Sequence, residues 1–379
     1  MKMLILHVRL ISPDVDIADA AILIEDGRIA AVFEVGEKLP EVGQVIDGEG
    51  RIVMPGFFDI HSHGADGRDV CDGLLESVRH IARRKLQEGV TTWLPTTLTQ
   101  SEDKLEEIAR VCGQYMANPE FCRTPGLHVE GPFINSKNAG AQNPEFIRPP
   151  NFNELRNLND IAPLRIVSLA PELDGANDLV RKATEIGIIC SAAHTSATAE
   201  QIAEAKHSGL THLTHFGNAM TALHHREIGV VGAGLLDDSL KLEVICDMIH
   251  LCPDMLRLVF MLVPIERLML ITDSMAASWM DKGAVMLGGL KVIVNDGKAV
   301  LAESGVLAGS ALRFNEGVRN IAALTNMPLH QIVKATSWNQ AQSLGLNEFG
   351  KLEAGFVADI VFLNQDFSVW KTLVGGVER

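Results

Sequence analysis

The spacing of polar and apolar positions changes along the chain. In the first fifty residues the apolar runs are short and broken by turns: LILHVRLIS, then AAILIEDGRIAAVFE with Asp26-Gly27 inside it, then QVIDGEGRIVMPG. Runs of this length around an Asp-Gly pair predict strands joined by a tight hairpin. The last thirty residues carry a similar pattern, FVADIVFL and VWKTLVGG. Neither set could bury a face alone. The two ends are therefore expected to pair into one small β-sandwich domain, residues 1–54 with 347–379.

Between the ends, strand-like runs alternate with amphipathic helical stretches such as LLESVRHIARRKLQEG. The runs are FFDIHSH, VTTWLPTT, GLHVEGPF, RIVSLAPE, GIICSAAHT, LTHLTHF, LKLEVICDMIH and RLMLITDS. Eight parallel strands with crossover helices make a TIM (β/α)8 barrel, expected over residues 55–346. One stretch departs from that rhythm: residues 284–302, AVMLGGLKVIVNDGKAVLA, predict a strand-turn-strand hairpin. The loop Leu307-Ala308-Gly309-Ser310 should then return the chain to the barrel mouth, with helices through FNEGVRNIAALT and LHQIVKATSWNQAQSL. A chain of 379 residues accommodates a barrel of about 250 residues and a smaller domain.

Composition narrows the function classes. Apolar residues at 47% and charged residues at 21% support a large core and argue against disorder. A net charge of -15 argues against nucleic acid as a partner, because a phosphate backbone calls for a basic face. An anionic small substrate would need a local basic pocket. No apolar run is long enough for a membrane helix, and His7 and Arg9 interrupt the start MKMLILHVRLIS too early for a signal peptide. A cytoplasmic location without a membrane partner is the expectation. Cys71, Cys112, Cys122, Cys190, Cys246 and Cys252 show no CxxC spacing and are read as reduced thiols without assigned chemistry. No GxGxxG opens a strand-helix unit, so a dinucleotide-dependent dehydrogenase finds no support.

The candidate chemistry gathers at strand ends, where barrel enzymes place it. Strand side chains alternate faces, so His61 and His63 point the same way and Ser62 the other. Glu130 ends the third run, and a carboxylate buried there needs a cation or hydrogen-bond donors to offset its desolvation. His194 in AAHTSAT and His215 in LTHFGNAM complete a two-histidine, one-carboxylate set with room for water, as in catalytic metal sites. Asp273 closes the eighth run and could move a proton between water and a leaving amine, or simply cap the following segment. Arg226, in HHRE, offers a guanidinium fork for a phosphate, although such a run also suits a solvated surface.

These residues resemble the amidohydrolase superfamily. Within it, HVEGPF, HFGNAM, LHHREIGVVGAGLL, ITDSM, GVLAGS and GKLEAGFVADIVFLN are similar to the amino-sugar-phosphate deacetylases over nearly the whole chain. The resemblance implies hydrolysis of an N-acetylhexosamine 6-phosphate, the glucosamine form ahead of its galactosamine epimer, to the amino sugar phosphate and acetate. It implies metal ligands Glu130, His194 and His215, with Asp273 as acid and base. His61 and His63 would permit a second ion, the metal being zinc or iron, with manganese and cobalt also suited to such ligands. It implies substrate contacts from Ala141, Gln142, Asn218, Ala219, Arg226, His250 and the backbone of Leu307, Ala308 and Gly309. It also implies a homodimer in which Arg226 reaches the neighbouring subunit's site. Two positions depart from the family pattern: Gln142 stands where a histidine is usual, and Met248 where a glycine is usual beside the phosphate end. Rival readings are another N-acyl substrate and a barrel that has lost catalysis and only binds.

Overall fold

In the computed structural model of the chain, residues 2–295 and 297–379 are described. The eight apolar runs become the strands Phe57–Ser62, Val90–Thr97, Leu127–Glu130, Leu164–Leu169, Ile189–Ala192, Leu210–Leu213, Lys241–Ile245 and Leu268–Ile271, hydrogen-bonded in that order. All are parallel. Every residue of the first two strands is buried. Interior side chains cover one face and helices the other, which is why these strands read as continuous apolar runs. The barrel closes between the eighth and first strands: Asp273 N–H donates to His61 O at 2.9 Å and His63 N–H to Ser274 O at 2.7 Å.

Helix Leu75–Gln87 shows how the outer layer docks. Val78, Ile81, Ala82, Lys85 and Leu86 are buried, a stripe at helical spacing that includes one lysine. Near the C-terminus the expected single helix is broken into Leu329–Ile332, a 3-10 turn Val333–Thr336, and Trp338–Ser343. Its buried amides take tertiary partners. Asn339 Nδ2 donates to the carbonyls of Ile265 and Leu268, both at 2.7 Å, and Gln340 Nε2 to that of Leu270 at 3.1 Å. Bonds to the start of the eighth strand thus override local helix propensity.

The two chain ends share one seven-stranded sheet, with Gln44–Pro55 antiparallel to Ile360–Leu363 and Pro55 opposite Ile360. One of its cores gathers Ile5, Leu10, Ile22 and Ile24 with Ile360 and Phe362. Residues 282–301 form three antiparallel strands, Lys282–Leu287, Leu290–Asn295 and Lys298–Leu301, one more than the hairpin read from the sequence. Asp296, within that reading, lies outside the described residues. This small sheet leans on the barrel mouth, packing Leu287, Val292 and Val294 with Leu98, Met275 and Ala308.

Candidate metal centre and active site

Each candidate ligand leaves the C-terminal end of a barrel strand: His61 and His63 the first, Glu130 the third, His194 and His215 the fifth and sixth, Asp273 the eighth. The backbone turns sharply there. His194, His215 and Asp273 have φ of 45°, 34° and 49°. Left-handed backbone costs a side-chain-bearing residue about 1–3 kcal/mol, and it persists where the surroundings impose it. At Asp273 they do, since its carbonyl accepts from Ser310 N–H at 2.8 Å while its own N–H is held by the first strand.

The side chains converge. Glu130 Oε1 lies 3.1 Å from His215 Nε2 and 3.3 Å from His194 Nε2, and Oε2 lies 3.4 Å from His63 Nε2. Asp273 Oδ1 is 3.2 Å from His63 Nε2 and 3.4 Å from His61 Nε2. The two histidine pairs face each other nitrogen to nitrogen, His194 with His215 at 3.2 Å and His61 with His63 at 3.3 Å. Three buried triplets result among the described residues, Glu130-His194-His215, His61-His63-Asp273 and, sharing His61, His61-His128-Glu243.

This donor set fits divalent cations. His63 Nδ1 lies 3.1 Å from the Thr96 carbonyl and His194 Nδ1 2.8 Å from that of Asn138. A carbonyl can only accept, so Nδ1 carries the hydrogen and the Nε2 lone pairs face inward. Ligands about 2.1 Å from one ion at tetrahedral angles stand roughly 3.4 Å apart, close to the spacing here.

Without a cation, protons balance the carboxylates. Burial pulls the His63 imidazolium down, but its hydrogen bond to Asp273 and the charges of Glu130 and Asp273 outweigh this and raise it to about 9. Burial likewise pushes Asp273 up, and His61 and His63 together bring it down to about 2. For His61 burial prevails, and its pKa lies well below the ordinary histidine value.

Two buried groups beneath the cluster escaped the sequence reading. Glu243 Oε2 lies 3.5 Å from His61 Nδ1, and neither Glu243 oxygen has a hydrogen-bond partner among the described residues. Burial, reinforced by the charges of Glu130, Asp273 and Asp59, drives its pKa far above the carboxylate range. The available signal was a glutamate inside an apolar barrel strand, LKLEVI. His128 joins the Ile60 carbonyl at 2.8 Å to Ser168 Oγ at 2.7 Å, and burial lowers its pKa to about 4.

A cavity of about 360 Å³ opens above the ligands, bordered by Ala141, Gln142, Asn218, Ala219, His250, Leu307 and Gly309 as well. Ala308 lies buried behind, its N–H bonded to the Ala299 carbonyl at 3.0 Å. Gln142 Nε2 donates to Glu130 Oε2, and its Oε1 accepts from Thr99 N–H at 2.7 Å. His250 Nδ1 meets Asp247 Oδ2 at 2.6 Å; burial disfavours its charge, but Asp247 outweighs burial and raises its pKa. Met248 is expected beside the phosphate end, where a glycine is usual. With φ of 64° its side chain packs against the apolar core, and it does not border the cavity. Arg226 is also absent from the cavity wall. It is exposed beside a separate cleft with His224 and Glu227, its Nη1 2.8 Å from His225 Nε2. Among the described residues no lysine or arginine borders the cavity.

Known proteins share this architecture. The model of the amidohydrolase family matches residues 52–378. N-acetylglucosamine-6-phosphate deacetylase of Lysinibacillus sphaericus is 35% identical over 93% of this chain and 91% of its own. N-acetylgalactosamine-6-phosphate deacetylase of Escherichia coli O157:H7 is 34% identical over 97% of each. A solved structure, a mutant N-acetyl-D-glucosamine-6-phosphate deacetylase of Mycobacterium smegmatis in complex with N-acetyl-D-glucosamine-6-phosphate, is 28% identical, with a TM-score of 0.93 over 100% of this chain and 99% of that one. The strand-end ligands and these likenesses converge on one assignment: the chain belongs to the amidohydrolase family.

Proposed function

We propose that this chain hydrolyses the acetamide of an N-acetylhexosamine 6-phosphate, N-acetylglucosamine 6-phosphate foremost, to acetate and the amino sugar 6-phosphate. The observation that carries this reading is the meeting of Glu130, His194 and His215 with Asp273 at the floor of one cavity. The relatives' names supply the substrate class.

Glu130, His194 and His215 would hold one divalent cation, zinc or iron, and His61 and His63 a second. A cation there supplies Lewis acidity to the amide carbonyl and to water. Asp273, whose carboxylate faces the ligand cluster, accepts a proton from the attacking water and returns it to the departing nitrogen. Asn218, Ala219 and Ala141, with Leu307 and Gly309 from the loop, shape the sugar site. Gln142, committed to Glu130, orients that ligand.

The phosphate needs cationic partners, and His250, which borders the cavity apart from the metal ligands and is raised in pKa by Asp247, suits that role from its own subunit. Arg226, exposed and without a carboxylate partner among the described residues, suits the role from a second copy of the chain in a homodimer. Leu223, 52% exposed close by, would be covered in that assembly. We place the enzyme in the cytoplasm, where its six free cysteines stay reduced.

A second reading, the galactosamine epimer, is favoured by the 34% identical relative that acts on it by name. Acetate release should be measured on both N-acetylhexosamine 6-phosphates and on the unphosphorylated sugar, with Asp273→Asn beside the native protein. Native turnover on a 6-phosphate and a loss of several orders of magnitude in Asp273→Asn, with metal content retained, are expected. Equal rates with and without phosphate would sink the substrate class, and near-native turnover in Asp273→Asn would sink the proton role.

A further inference from the structure

Lys85 reaches from helix Leu75–Gln87 into the seam where the barrel closes, and its side chain is wholly buried. Its Nζ lies 3.0 Å from Asp59 Oδ2, 3.2 Å from Glu88 Oε2, 3.1 Å from Thr272 Oγ1 and 2.8 Å from Ser274 Oγ. Three N–H donors thus serve four oxygens in a fully buried site. Both carboxylates are spoken for elsewhere as well. Asp59 accepts from Thr272 Oγ1 at 2.6 Å and from Thr272 N–H at 3.2 Å, while Glu88 accepts from Trp279 Nε1 at 2.8 Å and Phe314 N–H at 3.0 Å.

Thr272 and Ser274 are the two neighbours of Asp273. Its left-handed φ of 49° is held on both sides by hydroxyls that meet one ammonium. Ser274 Oγ also lies 3.0 Å from Ser62 Oγ, and Ser62 stands between His61 and His63. Backbone bonds also cross this seam, Asp273 N–H to His61 O at 2.9 Å and Ser274 O accepting from His63 N–H at 2.7 Å and Gly64 N–H at 3.0 Å. The eighth and first strands nevertheless share no continuous ladder, and Thr272 N–H bonds the Asp59 side chain where a ladder would supply a backbone carbonyl.

We propose that Lys85, anchored by Asp59 and Glu88, is a positioning residue for the reaction: through Thr272 and Ser274 it fixes the aim of Asp273, and through Ser62 that of the His61-His63 pair. This rests on the role given to Asp273 above. Removing Lys85 itself would strand two buried carboxylates and unfold the seam, so the links are the informative targets. Thr272→Val and Ser274→Ala together cut both hydroxyls at nearly constant volume and leave the three charges in place.

The double variant should keep metal content, melt within a few degrees of the native protein, and hold KM within about twofold while kcat falls at least tenfold, since displacing a reacting group by 1 Å can cost about 10²-fold. Thr272→Ser with Ser274 native keeps both hydroxyls and should hold kcat within about twofold. Native kcat in the double variant, or a kcat loss in Thr272→Ser as large as that of the double variant, overturns the proposal. Should the double variant not fold, Ser274→Ala alone, which leaves the Thr272-Asp59 pair intact, is held to the same KM and kcat criteria. Asp273→Asn separates the two ideas. If it abolishes turnover while the double variant keeps it, only the clamp fails; if it keeps turnover itself, the assignment of Asp273 fails first.

Discussion

In metal-free protein a proton on His63 does the electrostatic work of a cation, so removing the metal should make stability depend on pH. The imidazolium is held to about 9 by Asp273 and Glu130 against the pull of burial, whereas an unfolded histidine titrates near 6.5. Because the folded value is the higher one, the contribution is fully present below pH 6.5 and is lost as pH climbs through about 9. At about 1.36 kcal/mol for each pH unit between those two values, roughly 3 kcal/mol is at stake. The depressed pKa of Asp273, about 2, reports the same pair from the other side, acts only in acid and is not added. The assay is urea unfolding of chelator-treated protein at pH 6.5, 7.5, 8.5 and 9.5. Metal binding at His63 must displace that proton, so apparent affinity at this position should rise about tenfold per pH unit up to about 9. Metal-free stability that is flat or increases with pH across the window would refute the account of His63.

Two substitutions test other parts of the site. Arg226→Ala should raise KM for the phosphorylated sugar at least tenfold and leave the unphosphorylated sugar unaffected, as steady-state kinetics on both would read; equal effects would remove the arginine from phosphate binding. Gly309→Ala would place a Cβ 3.0 Å from Met275 Cγ and 3.1 Å from the Asp273 carbonyl oxygen at a φ of 56°, so a loss of about 1–3 kcal/mol in urea unfolding is expected together with a fall in kcat.

Much of the barrel was legible because its strands are short, apolar and punctuated, and because a parallel sheet covered on both faces leaves no alternation to confuse the reading. The His61-His63 spacing and the strand-end position of Glu130, His194, His215 and Asp273 followed from the same geometry. What stayed hidden depends on neighbours distant in sequence. The segment 329–343 looks helical until Asn339 and Gln340 find strand carbonyls some seventy residues away. The sequence placed Met248 where a glycine is usual, and only the fold shows its side chain packed against the apolar core.

The buried charges show where sequence reading could have gone further. Arg83-Arg84-Lys85 reads as a solvated cationic run, yet Lys85 alone of the three continues the stripe of Val78, Ile81 and Ala82 and is buried there. An ammonium on an apolar stripe costs several kcal/mol to desolvate unless carboxylates meet it, so its periodicity demanded partners. Asp59, within the apolar run FFDIHSH, made the matching demand from the barrel side. Each charge alone looked like an exception to burial; together they form one site, whereas Glu243 beneath His61 has no hydrogen-bond partner among the described residues and meets burial by a pKa driven far above the carboxylate range. Charged residues that interrupt an otherwise consistent apolar period therefore mark buried networks, and here such networks lie directly under the chemistry.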